Sequence, residues 1–181
     1  MDDLPALAGE EHFCPLCRVN YQRTTIARAV ETITAIPGAA RAAVAEIPEA
    51  ARAVRPSAGE WSVVEYVCHL RDVYASYTIR LYRARTEDRP AVEPMLNNLR
   101  ATRFRYIDWN VEAALDELDA TAAGFREEIA RVREDEWERT VTRLPHEVRT
   151  ARWLVRQAMH EGTHHLHDIE RTGSVIRAAS G

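Results

Sequence analysis

A chain of 181 residues suits one domain and can bury a real core without disulfide or metal staples. Its net charge of −4 comes from interspersed acidic and basic residues, which excludes the basic footprint of a nucleic-acid binder. No apolar run approaches the eighteen or so residues of a membrane span, and no charged-then-apolar leader opens the chain. The expectation is a cytoplasmic protein with no nucleic-acid and no membrane partner. All 24 basic residues are arginine, so a catalytic lysine is ruled out. The three cysteines, Cys14, Cys17 and Cys68, do not make a disulfide framework.

Residues 1–20 read as an extension carrying His12 and the run Cys14-Pro15-Leu16-Cys17. A CxxC supplies half of a zinc site or a redox pair. There is no second CxxC to complete a four-cysteine site and no thioredoxin-like βαβ pattern around it. The other reading is a tail tucked over the rest by Phe13 and Leu16. Residues 21–181 are expected to form a single domain.

The first helix is predicted over 24–47 from the stripe Ile26, Val30, Ile33, Val44 and Ile47, with Pro37-Gly38 expected to kink or split it. Pro48 and the run 55–59 break the chain before the second helix, 62–85. That helix starts clearly: Ser62 and Glu65 spell a capping box, with Trp61 and Tyr66 at the staple positions. His69 sits at the edge of its broad apolar face, where a lone histidine is more often a packed residue than a ligand. Residues 86–109 hold Pro90 and Pro94 and read as a long loop with room for a short helix within 95–106. A third helix over 110–133 repeats apolar residues at three and four, with Asn110 or Asp108 as its cap. Residues 140–149 read as an exposed connection, and the last helix, 150–172, is expected to stop at Gly173.

Four of the seven histidines fall in residues 159–170, with Glu161, Asp168 and Glu170 among them. At 100° per residue, Leu154, Val155, Ala158, Met159, Gly162, Leu166 and Ile169 share one arc. Glu161 and His165 border or join that arc, while His160, His164 and His167 lie on roughly the opposite side with Arg156. Two i,i+4 pairs can therefore chelate a metal, Glu161/His165 and the rival His160/His164. Glu161/His165 is preferred because it faces the core, where an ion shared with His69 must sit. The outer stripe then reads as a solvated or interfacial polar face.

Two motifs carry a resemblance to a known family. The second helix reads Trp61-Ser62-Val63-Val64-Glu65-Tyr66-Val67-Cys68-His69-Leu70, matching W-S-x-x-E-x-x-x-H-L. The last helix reads Glu161-Gly162-Thr163-His164-His165-Leu166-His167-Asp168-Ile169, close to E-x-x-x-H-x-x-D-L. Together they resemble the DinB-like superfamily of four-helix metalloproteins, whose relatives include mycothiol-dependent maleylpyruvate isomerases and bacillithiol S-transferases. The resemblance covers about residues 24–173. Transferase relatives place a histidine where Glu161 stands, and an isomerase is expected to carry a further carboxy-terminal domain.

The resemblance implies an all-α fold, an antiparallel four-helix bundle of DinB-like type with a long connection between helices two and three. It also implies a divalent metal, zinc or nickel, held by His69, Glu161 and His165, with Asp168 orienting the His165 ring. The expected chemistry is that of a metal-dependent thiol transferase, mycothiol S-transferase-like, joining a small-molecule thiol to an electrophile. The alternatives are a metal-binding stress protein without turnover and a structural helical dimerisation module. Homodimers are common in such families.

Overall fold

A computed structural model of the chain describes residues 6–179; residues 1–5 of the expected extension and 180–181 lie outside the described residues. Five α-helices, α1 (Ile26–Ala45), α2 (Val63–Thr86), α3 (Asn97–Arg103), α4 (Val111–Ala130) and α5 (Ala151–Ala179), are joined by short helical turns and one small hairpin. The hairpin pairs β1 (Thr140–Thr142) with β2 (Val148–Thr150), so the connection expected over residues 140–149 carries a short paired segment. The all-α bundle expected from the helical periodicity is the fold observed, with α1, α2, α4 and α5 as its four long members. No described helix is long and apolar enough to cross a membrane.

The chain enters α2 as its sequence spells. Ser62 Oγ accepts from the Glu65 N–H, while Glu65 Oε2 accepts from the Ser62 N–H at 2.9 Å. Arg55 donates to the same buried carboxylate through Nε at 2.8 Å. An N-cap of this kind is worth about 1 kcal/mol, and here it fixes the helix start about two turns before His69. Asn110 and Thr150 cap α4 and α5 in the same manner, accepting from Ala113 N and Trp153 N.

Two expected breakers do not break their helices. Pro37 lies inside a continuous α1, and α5 passes through Gly173 to Ala179. Gly173 serves packing instead: a Cβ there would stand 2.6 Å from Ile47 Cδ1. Gly162 does the same about three turns earlier on that face, where a Cβ would run into the Tyr74 hydroxyl and lie 3.1 Å from Ile36 Cγ1. These two glycines let α5 lie close against α1 and α2.

Around the bundle the helices follow the order α1, α5, α2, α4, so α1 and α2 sit diagonally. Contacts give their directions. Arg71 meets Glu117 and Arg85 meets Glu128, so α2 and α4 run parallel. Gly162 against Ile36 and Gly173 against Ile47 make α5 parallel to α1. Arg41 with Asp116 and Arg126 with Thr34 make α1 antiparallel to α4. Trp61 beside His165 and Glu60 with Arg171 make α2 antiparallel to α5, since Gly162 faces Tyr74. Parallel neighbours need a long return connection, which explains residues 87–110. That connection contains the short α3 and is fastened to α2 through Asp72, which accepts from Arg100 Nε at 3.0 Å and from the Tyr106 hydroxyl.

One apolar core runs through all four long helices and includes the fully buried Trp153, Tyr74, Phe125, Leu70 and Leu115. Each such side chain stabilises the fold by roughly 1.5–3 kcal/mol on burial. The amino-terminal segment packs onto this core, but not through Phe13 and Leu16, which are 46% and 78% exposed. Tyr21 and Cys14 are the residues it buries, and Arg149 holds it by donating to the carbonyls of Leu7 and Ala8.

Gly162→Ala tests the close approach. Helix propensity alone favours alanine by about 1 kcal/mol, whereas overpacking against Tyr74 costs roughly 1–3 kcal/mol. Thermal unfolding is therefore expected at a lower temperature than for the parent protein; a higher one contradicts the packing described.

Candidate metal centre

His69 projects from the first third of α2, while Glu161 and His165 are one turn apart on α5. One donor atom from each lies within 4.8 Å of the other two. Glu161 Oε2 is 3.6 Å from His69 Nε2 and 3.3 Å from His165 Nε2. Ligands about 2.0–2.1 Å from a tetrahedral ion stand roughly 3.3–3.4 Å from one another, so these spacings fit a metal. The chemistry of the donors fits too, since two imidazoles and a carboxylate suit zinc and its neighbours.

The surroundings prepare each donor. His69 is buried, and its Nε2 has no hydrogen-bond partner among the described residues. Leaving such an atom unpaired costs roughly 1–3 kcal/mol. Burial also lowers the His69 pKa, keeping a lone pair on the ring. Burial pushes the Glu161 carboxyl upward, but the hydrogen bond and positive charge of the neighbouring His165 outweigh it and hold the group well below the ordinary carboxylate value. Glu161 Oε1 accepts from Gln157 Nε2 at 2.5 Å, which leaves Oε2 to face the two histidines.

His165 lies between two carboxylates. Asp168 Oδ2 is 2.9 Å from its Nδ1, and Glu161 Oε2 faces its Nε2. Burial disfavours the imidazolium, yet the hydrogen bonds to Asp168 and Glu161 raise its pKa to about 9. Asp168 also meets Arg171, which is paired with Glu60. Trp61 and Tyr66 close one side as aromatic walls, with ring centres 5.1 Å from His69 and 5.4 Å from His165.

The structure thus brings His69, Glu161 and His165 together and sets Asp168 behind His165, as the two motifs arrange them. The rival His160 and His164 face away, toward the amino-terminal segment. His160 packs against His12 and Tyr21 at ring-centre distances of 5.1 and 5.7 Å, so His160 and His164 lie at an interface within the chain while His167 stays exposed. Sequence reasoning passed over Gln157 and Tyr21. Gln157 was readable as the residue one turn before Glu161; nothing in the sequence connects Tyr21 to α5.

A helical bundle with a largely buried His/Glu/His cluster, His69 fully and Glu161 and His165 partly, between two of its long helices defines the class. The chain belongs to the DinB superfamily, whose model matches residues 32–169. Two solved structures share the fold. YfiT from Bacillus subtilis, described as a probable metal-dependent hydrolase with an unusual four-helix bundle topology, is 18% identical with a TM-score of 0.71. That match covers 81% of this chain and 86% of YfiT. A variant of the mycothiol-dependent maleylpyruvate isomerase is 14% identical with a TM-score of 0.66, covering 82% of this chain. The chain spans 62% of that isomerase's length. No curated protein sequence matches the chain.

The His165 environment has a consequence for the protein stripped of metal. The folded pKa of about 9 lies above the ordinary 6.5, so its stabilising effect is complete below pH 6.5 and is lost as pH rises through 9. Chelator-treated protein is expected to unfold at a lower temperature at pH 9.5 than at pH 7. Asp168→Asn is expected to lower the His165 pKa in an NMR titration; an unchanged value contradicts the pairing.

Proposed function

We propose that the chain is a cytoplasmic, divalent-metal-dependent thiol transferase that joins a low-molecular-weight thiol, mycothiol by preference, to an electrophile. In this reading His69, Glu161 and His165 are the metal ligands and the ion is zinc or nickel. The observation that carries it is the convergence of three donors from two helices on one point, with the buried His69 Nε2 unpaired.

Three protein ligands leave room for a further one, the pattern of catalytic rather than structural sites. An ion held there acts as a Lewis acid that lowers the pKa of a bound thiol or water. The residues of the chain do the positioning. Asp168 fixes the His165 ring through Nδ1, and Gln157 fixes which oxygen Glu161 presents. Trp61 and Tyr66 give the approach an apolar face, which restrains water near the donors. In the transfer, the thiol sulfur bonds to the electrophilic carbon, the leaving group departs with its electron pair, and the thiol proton passes to solvent. The mycothiol-dependent structural neighbour supports the choice of thiol, and the metal-dependent one supports the ion. Hydrolysis is the second reading, favoured by the description of YfiT, with water in place of the thiol.

The test is metal analysis followed by turnover. His69→Ala and Glu161→Ala are expected to bind the ion of this centre at least tenfold or so more weakly while remaining helical by circular dichroism. Loss of mycothiol in the presence of an alkyl halide or epoxide is expected to need both metal and His69. Turnover by the metal-loaded protein that is equal with and without thiol favours hydrolysis. A His69→Ala protein that retains full metal at this centre removes His69 from the site.

A further inference from the structure

The CxxC of the amino-terminal segment and the outer histidine pair of α5, which the site above does not use, meet in the fold. We propose that Cys14, Cys17, His160 and His164 form a second metal site, a structural zinc centre that clamps the amino-terminal segment to α5.

The residue types and spacings are those of a Cys2His2 site, C-x2-C with H-x3-H. The four donor atoms lie within 4.8 Å of one another. Cys14 Sγ is 3.6 Å from His164 Nδ1. Tetrahedral zinc, about 2.3 Å from sulfur and 2.0–2.1 Å from nitrogen, spaces its donors roughly 3.3–3.8 Å apart. The group is a short contraction from that arrangement. Four protein ligands fill the coordination sphere, which assigns the site a structural role rather than a catalytic one.

Hydrogen bonding fixes which atom His160 offers. A carboxylate only accepts, so Gln157 turns its amide nitrogen to Glu161 Oε1 and its oxygen to Tyr21. The Tyr21 hydroxyl spends its single hydrogen on that oxygen. Its contact with His160 Nδ1 at 2.9 Å is then Nδ1–H donating to the phenol oxygen. The His160 proton is therefore on Nδ1, and Nε2 carries a bare lone pair. That Nε2 is buried and has no partner among the described residues. On His164, Nε2 lies toward Asp168 at 3.9 Å, leaving Nδ1 for the cysteine side.

The backbone around the thiols serves the same end. Arg18 N–H donates to the Cys14 carbonyl and Cys14 N–H to the Val19 carbonyl, each at 2.9 Å. Arg18 holds φ at 63°, which costs a non-glycine residue roughly 1–2 kcal/mol. This tight turn brings both sulfurs to one side. A Cys14–Cys17 disulfide would leave the His160 nitrogen unanswered, whereas a metal engages all four groups. The two centres then use adjacent residues of α5: His160 and His164 for one, Glu161 and His165 for the other.

The inference stands apart from the thiol-transferase reading, because only this centre contains sulfur. Full-length protein loaded with cobalt(II) is expected to show sulfur-to-cobalt charge-transfer absorption in the near ultraviolet and tetrahedral bands in the visible. The His69→Ala protein is expected to keep those bands, and Cys14→Ser and Cys17→Ser to lose them. Zinc analysis is expected to give one equivalent per chain fewer for each cysteine variant than for the parent. In the parent, Cys14 and Cys17 are expected to resist iodoacetamide until a strong chelator is added. Parent and His69→Ala spectra need no cysteine variant to fold. Absence of sulfur-to-cobalt absorption in both, or a Cys14–Cys17 disulfide in metal-free protein purified under reductant, overturns the proposal.

Discussion

The Glu161 carboxylate is the interaction on which the rest of the candidate centre depends. Its Oε2 faces both histidines, and its Oε1 is taken by Gln157. Without that negative charge, two imidazoles from different helices would meet edge to face at 4.8 Å between ring centres with nothing to draw them together. The carboxylate is kept ionised by those same histidines, and His165 is kept protonated in the metal-free protein by Glu161 and Asp168. A divalent ion held by these three residues would take the place of the His165 proton and give the unpartnered His69 nitrogen a partner.

The bundle topology exists to make this meeting possible. An up-and-down bundle would set sequential helices side by side. Here α2 packs beside α5, and the long return from α2 to α4 lets those two run parallel on the other flank. The antiparallel α2/α5 pair then brings the middle of each helix to the same level. Glycine at 162 and 173 lets α5 sit deep enough for Glu161 and His165 to reach α2. On the opposite face of α5, the amino-terminal segment covers His160 and His164, and the hydrogen-bonded run from Tyr21 through Gln157 ends on Glu161.

Much of this was legible in the sequence, for local reasons. The capping box at Ser62–Glu65 placed the start of α2, and the i,i+4 spacing of Glu161 and His165 placed both on the core side of α5. What escaped notice depended on contacts between distant segments. Gly173 looked like a helix stop because its packing against Ile47 is not written near it. Pro37 reads as either a kink or a split, and α1 runs on through it without splitting. The histidine stripe reads as either a solvated or an interfacial face, because nothing in α5 announces that residues 14–21 will lie across His160 and His164. The parallel pairing of α2 and α4 was hidden in the length of one connection.

The most direct measurement is a crystal structure of the protein grown with a divalent ion, with the ion located by its anomalous scattering. The account expects a peak between α2 and α5 with His69 Nε2, Glu161 Oε2 and His165 Nε2 all within about 2.2 Å. Full-occupancy metal at His160 and His164 alone, with the space between His69, Glu161 and His165 empty, would contradict it.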